Sequence, residues 1–172
     1  MTALQTTRLN LRPFSEDDLE DLSALMANPD FMRFSLGVFS REQTAGFLEK
    51  VRERDRKGLP SQFALISRSA TTLIGYCGFF LQTVDGVEEL EIAYRLDPAY
   101  WGQGLATEAA RAVRDHAFDQ LRLSHLISLI HPDNIGSRRV AEKNGMTPEK
   151  ETVFRGYPTI VFGINREQWD SR

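Results

Sequence analysis

Two glycines one residue apart, Gly102 and Gly104, lie in the stretch YWGQGLATEA. Apolar residues recur at helical spacing from Ala106 to Ala117, so a helix is predicted to begin close to Gly104. The first turn of a helix has N–H groups without partners and the positive end of the helix dipole. Glycine keeps that backbone open to a bulky anion, so the stretch predicts a phosphate-binding turn. The alternative is a tight strand-to-helix connection in which glycine only supplies a positive φ.

Two familiar phosphate-binding motifs do not fit this stretch. The chain has no Gly-Lys-Ser or Gly-Lys-Thr sequence, which a P-loop requires. The Gly-x-Gly-x-x-Gly spacing of a dinucleotide fold fails at Thr107. Neither a P-loop nor a Rossmann site is therefore indicated.

The elements that must position this turn follow from hydrophobic periodicity and turn signals. Alternation and apolar runs predict strands, whereas Ser15, the capping box SREQ and Asn134 mark helix starts. The predicted strands are RLNLRPF, QFALIS, TLIGYCGFF, EELEIAYRL, HLISLIH and a closing hairpin, VFRGYPTIVFGI. The resulting order, β α α β β β α β α β β, predicts an α/β layer fold with a mixed sheet.

Composition places the chain among ordinary globular proteins. Its 172 residues are 41% apolar and 26% charged, which predicts a single domain over residues 1–172. A net charge of −3 argues against a nucleic-acid partner. The single cysteine, Cys77, suits a small core position and a reducing compartment. No apolar run approaches a membrane span of ~18 residues, so a cytoplasmic protein without a membrane partner is predicted.

The three histidines, His116, His125 and His131, show no metal-ligand spacing, and no metal site is predicted.

Several motifs together resemble the GNAT superfamily of N-acetyltransferases, and specifically its RimJ/RimL-like branch, which acetylates ribosomal-protein N-termini. The matching segments are TTRLNLRPFSEDDLEDL, LIGYCGF, LEIAYRLDPAYWGQGLATEAARAV, HPDNIGSRRVAEKNGM and FGINREQW. They cover nearly the whole chain in order and spacing. The resemblance implies a mixed, mostly antiparallel sheet with helices on both faces. It also implies a splayed parallel pair, formed here by ELEIAYRL and HLISLIH.

The resemblance assigns the glycine turn to acetyl-CoA. The superfamily signature, Arg or Gln, two residues, Gly, one residue, then Gly or Ala, becomes Trp101 to Ala106 here, with Trp101 departing from it. The residues implied to bind the pyrophosphate are Gly102, Gln103, Gly104, Leu105, Ala106 and Thr107. Asn134 matches an asparagine that contacts the cofactor, a role compatible with a helix cap.

Further cofactor contacts are left open. Arg95 could assist the pyrophosphate or be a solvated arginine at a strand end. Arg138, Arg139 and Lys143 could reach the 3′-phosphate or form a solvated basic face.

The chemistry implied by the resemblance is direct attack of an amine on the thioester in a ternary complex. An amine is mostly protonated near neutral pH, so a base must remove its proton. Glu91 occupies the position of the branch's glutamate, with a structural carboxylate paired to Arg95 or another cation as the alternative and His131 as a second candidate base. Many relatives place a tyrosine where this chain has Ala141. Ser137 is then implied to stabilise the CoA thiolate and to contact the cofactor.

The acceptor is not encoded in a readable motif. The resemblance allows a protein N-terminus or a small-molecule amine. Phe31, Phe34 and Phe39 either line the acceptor pocket or belong to the core. A non-catalytic CoA-binding module of the same fold is the alternative function. A homodimer through the closing strands, common among relatives, is left open.

Overall fold

The computed structural model describes residues 1–171. Its strands are β1 (Leu4–Gln5), β2 (Leu9–Pro13), β3 (Gln62–Ser67), β4 (Leu73–Val84), β5 (Val87–Leu96), β6 (His125–Ile130), β7 (Thr147–Phe154) and β8 (Tyr157–Asn165). Its α-helices are α1 (Leu19–Met26), α2 (Arg41–Arg56), α3 (Leu105–Asp119), α4 (Ile135–Lys143) and α5 (Arg166–Asp170).

One sheet contains all eight strands in the order β1-β2-β3-β4-β5-β6-β8-β7. Every neighbouring pair is antiparallel except β5 and β6, which are parallel and joined through the crossover helix α3. The β5–β6 ladder has one register position, Glu91 opposite Ile127, whereas β4 and β5 pair over ten. The predicted α/β fold, a mostly antiparallel sheet with one splayed parallel pair, is confirmed.

The two faces of the sheet bury different helices because side chains alternate along each strand. On β4, Cys77 and Phe79 belong to the cluster that α3 covers, whereas Tyr76 belongs to the cluster that α1 and α2 cover. Cys77 is fully buried, and this burial raises the pKa of its thiol. Residues 1–171 contain no helix with the length and hydrophobicity needed to cross a bilayer.

Local signals marked the starts of α2, α3 and α4, whereas Ser15 caps a 3₁₀ turn, Glu16–Asp18, that precedes α1. The Ser40 hydroxyl accepts from the backbone N–H of Gln43 at 3.2 Å, and the Gln43 side chain accepts from the Ser40 N–H at 2.8 Å, which completes the predicted capping box. Strand β1 and helix α5 were not predicted. Two and five residues, respectively, are too few to show a hydrophobic period.

His125 joins three strands at the end of the sheet remote from α3's first turn. Its Nδ1 lies 3.2 Å from Glu89 Oε2 on β5, and its Nε2 lies 3.0 Å from Glu149 Oε1 on β7. Burial of the ring opposes protonation, but the two carboxylates outweigh it and raise the pKa of His125. The protonated ring therefore cross-links β5, β6 and β7.

This arrangement predicts a pH-dependent stability. Because the folded pKa exceeds the unfolded one, the contribution of His125 is complete below about pH 6.5 and is lost as pH rises through the raised folded pKa. We expect about 0.5–1 kcal/mol, the range of partly exposed ion pairs. Urea unfolding of wild type and His125→Gln at several pH values checks this, and equal pH slopes for the two proteins would contradict it.

Candidate active site

The strands β5 and β6 separate directly after their single paired position. Beyond Glu91 and Ile127 they are tied by a side chain, because the Ser128 hydroxyl donates to the Ile92 carbonyl at 2.8 Å. The backbone of β5 after Ile92 and of β6 after Ser128 therefore borders a wedge-shaped opening. An extended ligand arm can enter this wedge and pair with strand backbone.

The glycine turn lies at the end of β5, between a short 3₁₀ turn and helix α3. Gly102 has φ +73° and Gly104, the N-cap of α3, has φ +79°. Both conformations therefore favour glycine, as the alternative interpretation held. A Cβ built at Gly102 would meet no heavy atom within 4 Å among the described residues, so the backbone is also open.

The amides of this turn are available to a ligand. Within residues 1–171, the N–H groups of residues 102–107 donate no hydrogen bond to another protein group. The first helical bond of α3 runs from the Glu108 N–H to the Gly104 carbonyl at 3.0 Å. Unpaired amides at the positive end of a 15-residue helix form a site for an anion.

Arg8 and Glu108 hold the turn against the sheet, and sequence reasoning missed both. Arg8 Nη1 donates to the Gln103 carbonyl at 2.8 Å, and Arg8 Nε donates to Glu108 Oε2 at 2.7 Å. The other Glu108 oxygen accepts from the Arg8 backbone N–H at 2.8 Å. These bonds use the Gln103 carbonyl and the Glu108 carboxylate as acceptors. They therefore fix the turn while its backbone N–H groups stay available to a ligand.

Trp101 occupies the position where the family signature has Arg or Gln. Its indole N–H donates to the Leu96 carbonyl at 2.8 Å, and its side chain is about half exposed. The indole therefore fastens the turn to the end of β5 and provides no positive charge to a phosphate.

Glu91 is a buried carboxylate at the start of the wedge. It accepts hydrogen bonds from Gln82 Nε2 at 2.7 Å and from the Leu129 backbone N–H of β6 at 3.4 Å. Burial raises its pKa to about 7, against the opposing effects of these bonds and of the charges on Arg155 and Arg95. No cation lies within 4.0 Å of it in the described chain, so the structural ion pair considered above is not formed.

Gln82 was missed by the sequence analysis although its position could have been read from the hairpin. The turn at Asp85 and Gly86 pairs Val84 with Val87, which sets Gln82 opposite Glu89 and diagonal to Glu91. Diagonal side chains on one face of a sheet are within reach of each other. Arg155 Nη2, from the β7–β8 turn, donates to Gln82 Oε1 at 3.3 Å, so the amide links Arg155 to Glu91.

Ser137 and Asn134 meet at the start of α4. Asn134 Oδ1 caps the helix by accepting from the Ser137 N–H at 3.1 Å. The Tyr94 hydroxyl donates to the Ser137 carbonyl at 2.9 Å, which brings α4 to strand β5. The Ser137 hydroxyl has no hydrogen bond to the described residues and is free for a ligand. Ser137 and Glu91 are not in hydrogen-bond contact, since Tyr94 and Glu91 leave β5 on opposite faces.

A cleft of about 280 Å³ lies on the α1/α2 face, beside Glu91's partner Gln82. The three phenylalanines considered for the acceptor pocket lie in different environments. Phe31 is buried in the core, Phe39 lines the cleft, and Phe34 is exposed. The Phe34 ring stacks on His131 at 5.6 Å.

Arg95, whose role the sequence left open, lines this cleft and forms no hydrogen bond to the glycine turn in the described chain. Its Nη1 donates to the carbonyls of Phe31 and Arg33, both at 3.0 Å. His131, the second candidate base, accepts the Asp133 N–H at Nδ1 at 3.2 Å.

Comparison with known proteins identifies the class. A family model described as an acetyltransferase (GNAT) domain matches residues 8–147. The chain is 34% identical over 163 residues to the uncharacterized protein YkkB of Bacillus subtilis (strain 168), covering 94% of each. It is 32% identical over 158 residues to the probable N-acetyltransferase YjcK of the same organism, covering 88% of this chain and 86% of YjcK. These matches place the protein in the class of N-acetyltransferases.

Solved structures agree with this class. The crystal structure of the acetyltransferase (GNAT family) from Bacillus anthracis matches with a TM-score of 0.82 and 27% identity, covering 96% of this chain and 99% of that one. The chain belongs to the GNAT acetyltransferase family.

The RimJ/RimL-like branch is a more distant likeness. RimL, a ribosomal L7/L12 alpha-N-protein acetyltransferase in complex with coenzyme A, has a TM-score of 0.82 at 19% identity, covering 97% of this chain and 99% of that one. Identity at this level shows the fold alone, so membership of the branch stays a prediction.

The glycine turn gives a prediction about acetyl-CoA, which enzymes of this family use. Gly102→Ala places a methyl group on the open side of the turn, and we expect acetyl-CoA affinity to fall at least about tenfold. Gly86→Ala is the matched control, because Gly86 has φ +82° and also no heavy atom of the described chain within 4 Å of its Cβ. In both variants the free energy of unfolding should fall by ~1 kcal/mol, because alanine is strained at a positive φ.

Isothermal calorimetry with acetyl-CoA and urea unfolding separate the two effects. The assignment of the turn is wrong if Gly102→Ala and Gly86→Ala bind acetyl-CoA equally well.

Proposed function

We propose that the protein transfers an acetyl group from acetyl-CoA to a primary amine by direct attack in a ternary complex. The observation that carries this proposal is Glu91, a buried carboxylate whose pKa of about 7 suits a general base, at the point where β5 and β6 part. A base is needed because the attacking nitrogen must lose a proton, whereas a protein that only binds CoA has no use for one.

The residues of the glycine turn fit the pyrophosphate of acetyl-CoA. Six consecutive amides without protein partners and two positive-φ glycines supply donors and space for it. The residues that would hold it are Gly102, Gln103, Gly104, Leu105, Ala106 and Thr107. Asn134 caps the start of α4 through the backbone N–H of Ser137, beside the unpaired Ser137 hydroxyl.

Acetyl-CoA supplies the acetyl group as a reactive thioester. Glu91 accepts the proton of the acceptor amine, directly or through one water molecule, and Gln82 and the Leu129 N–H hold its two oxygens in place. Because the pKa is about 7, roughly half of the protein has Glu91 ionised at neutral pH. The Ser137 hydroxyl donates a hydrogen bond to the thiolate that departs and thereby stabilises it.

Within the family, we propose the RimJ/RimL-like branch, with a protein N-terminus or a small amine as the acceptor. The order of motifs from residues 6–169 supports the branch. A homodimer through β7 and β8 is part of the same proposal, since β7 is an edge strand of the sheet. The second candidate function, a non-catalytic CoA-binding module, is favoured by Ala141 at the position where many relatives have a tyrosine.

The role of Glu91 gives the main test. In Glu91→Gln we expect kcat to fall 10²–10⁴-fold, the usual contribution of a general base, with acetyl-CoA affinity within about twofold of wild type. Glu89→Gln is the matched control, since Glu89 lies on the same face of β5 and bonds His125. Thiol release from acetyl-CoA, measured with a panel of peptides, polyamines, aminoglycosides and amino acids, checks both variants.

The pH profile provides an independent reading of the same group. The base must be ionised, so kcat/KM for wild type should rise with pH through about 7 and then level off. The rise should be absent from the residual activity of Glu91→Gln. Unchanged turnover in this variant removes Glu91 as the base, whereas tight acetyl-CoA binding without turnover of any amine favours the non-catalytic module.

Ser137 is tested through its hydroxyl. We expect Ser137→Ala to lower kcat about 10-fold to 100-fold, because the leaving thiolate loses a hydrogen-bond donor, with acetyl-CoA affinity nearly unchanged. Ser137→Thr keeps a hydroxyl at the same position and should retain more activity than the alanine variant. Equal kcat for wild type and Ser137→Ala would exclude Ser137 from the reaction.

A further inference from the structure

We infer that the acceptor is a small amine with a carboxylate on the carbon that bears the amine and with an apolar side chain, and that Arg155 binds this carboxylate. The inference rests on the acetyltransferase function proposed above and names the substrate class of the same site. It is carried by the size, lining and charge of the cleft next to Gln82.

The cleft selects a small, apolar body. Its volume of about 280 Å³ falls just below the ~300–1,000 Å³ usual for small-molecule sites. Its wall is thioether and aromatic, formed by Met26, Met32, Phe39, Phe47, Tyr76 and Phe80. An apolar side chain of a few carbon atoms fits such a wall.

The charge of the cleft selects an anion. Its charged lining residues are Arg95 and Arg155, and neither forms an ion pair with a carboxylate anywhere in residues 1–171. Arg95 uses Nη1 for the carbonyls of Phe31 and Arg33. Two cations at one cleft repel polycationic acceptors and attract a carboxylate.

Arg155 has the donors to bind that carboxylate. It gives one hydrogen bond, from Nη2 to Gln82 Oε1 at 3.3 Å, and its guanidinium lies over the Phe154 ring at 5.0 Å. A guanidinium has five N–H donors in a planar fork that matches the two oxygens of a carboxylate. Four of the five therefore remain for a ligand, while the ring contact and Gln82 hold the fork in place.

The position of Arg155 relative to Glu91 sets the acceptor's geometry. The Gln82 amide bonds Arg155 through its oxygen and Glu91 through its nitrogen, so one amide group separates the guanidinium from the base. An amino acid has its amine and carboxylate on the same carbon. A carboxylate bound by Arg155 therefore places the amine beside Glu91 and leaves the side chain to the aromatic wall.

The experiment compares acceptors that share a side chain and differ at the carboxylate: L-phenylalanine, L-phenylalaninamide and phenethylamine, with L-methionine and L-methioninamide as a second pair. For wild type, we expect kcat/KM from thiol release to be at least about tenfold higher for each acid than for its amide, mainly through KM. Arg155→Met should reduce this ratio to near one, and Arg155→Lys should keep part of it.

Arg122→Met is the matched control. Arg122 is also exposed and also has a positive φ, +55° against +51° for Arg155, but it lies in the loop between α3 and β6. The Arg122→Met variant should keep the wild-type ratio of kcat/KM for the acid to kcat/KM for the amide.

Calorimetry of the same acids and amides with the CoA-loaded protein measures recognition without turnover. The inference is supported if wild type binds the acids more tightly than the amides and Arg155→Met does not. If the acids bind in this way but no acceptor is acetylated, only the proposed function fails. Equal binding of acid and amide, or binding of neither, overturns it. Faster turnover of a tetrapeptide with an acidic second residue than of every free amino acid overturns the small acceptor.

Discussion

The site depends on the point where β5 and β6 stop pairing. One register position, Glu91 opposite Ile127, fixes the two strands side by side, and the next residues separate. Strand edges with unpaired amides and carbonyls are costly to bury in a protein. The opening is therefore stable only when a ligand or solvent forms hydrogen bonds with these groups. Because Glu91 lies at the last paired position, it stands at the closed end of the opening.

The parts around this opening are held by contacts that cross the sheet. Arg8 and Glu108 fix the glycine turn from the β2 side, and the Tyr94 hydroxyl fixes α4 through the Ser137 carbonyl. Gln82 holds the Glu91 carboxylate. The contacts of Arg8, Glu108 and Tyr94 use groups that the proposed chemistry does not need, whereas Gln82 holds the proposed base itself. The turn amides and the Ser137 hydroxyl are thereby left unpaired within a rigid frame.

Sequence patterns correctly predicted the features that depend on neighbouring residues. The capping box at Ser40 and Gln43, the cap at Asn134 and the start of α3 at Gly104 follow from neighbouring residues. The mostly antiparallel sheet with one parallel pair agreed with the family resemblance. Contacts between distant segments were missed. Arg8 meets Glu108 across 100 positions, and no local signal marks such a pair. The role of Arg95 was left open because the sequence places it just before the turn, whereas strand alternation directs its side chain to the α1/α2 face.

Arg95 also shapes how this enzyme can change. It anchors the segment between α1 and α2 through the carbonyl oxygens of Phe31 and Arg33, and a carbonyl is present whatever side chain the residue has. The anchor is thus insensitive to the identity of the residues it fixes. The exposed side chains of this segment, such as Phe34 and Leu36, can be exchanged during evolution while its path over the cleft is kept. Because the anchor uses backbone atoms, substitutions that change the surface of this segment need not disturb the fold.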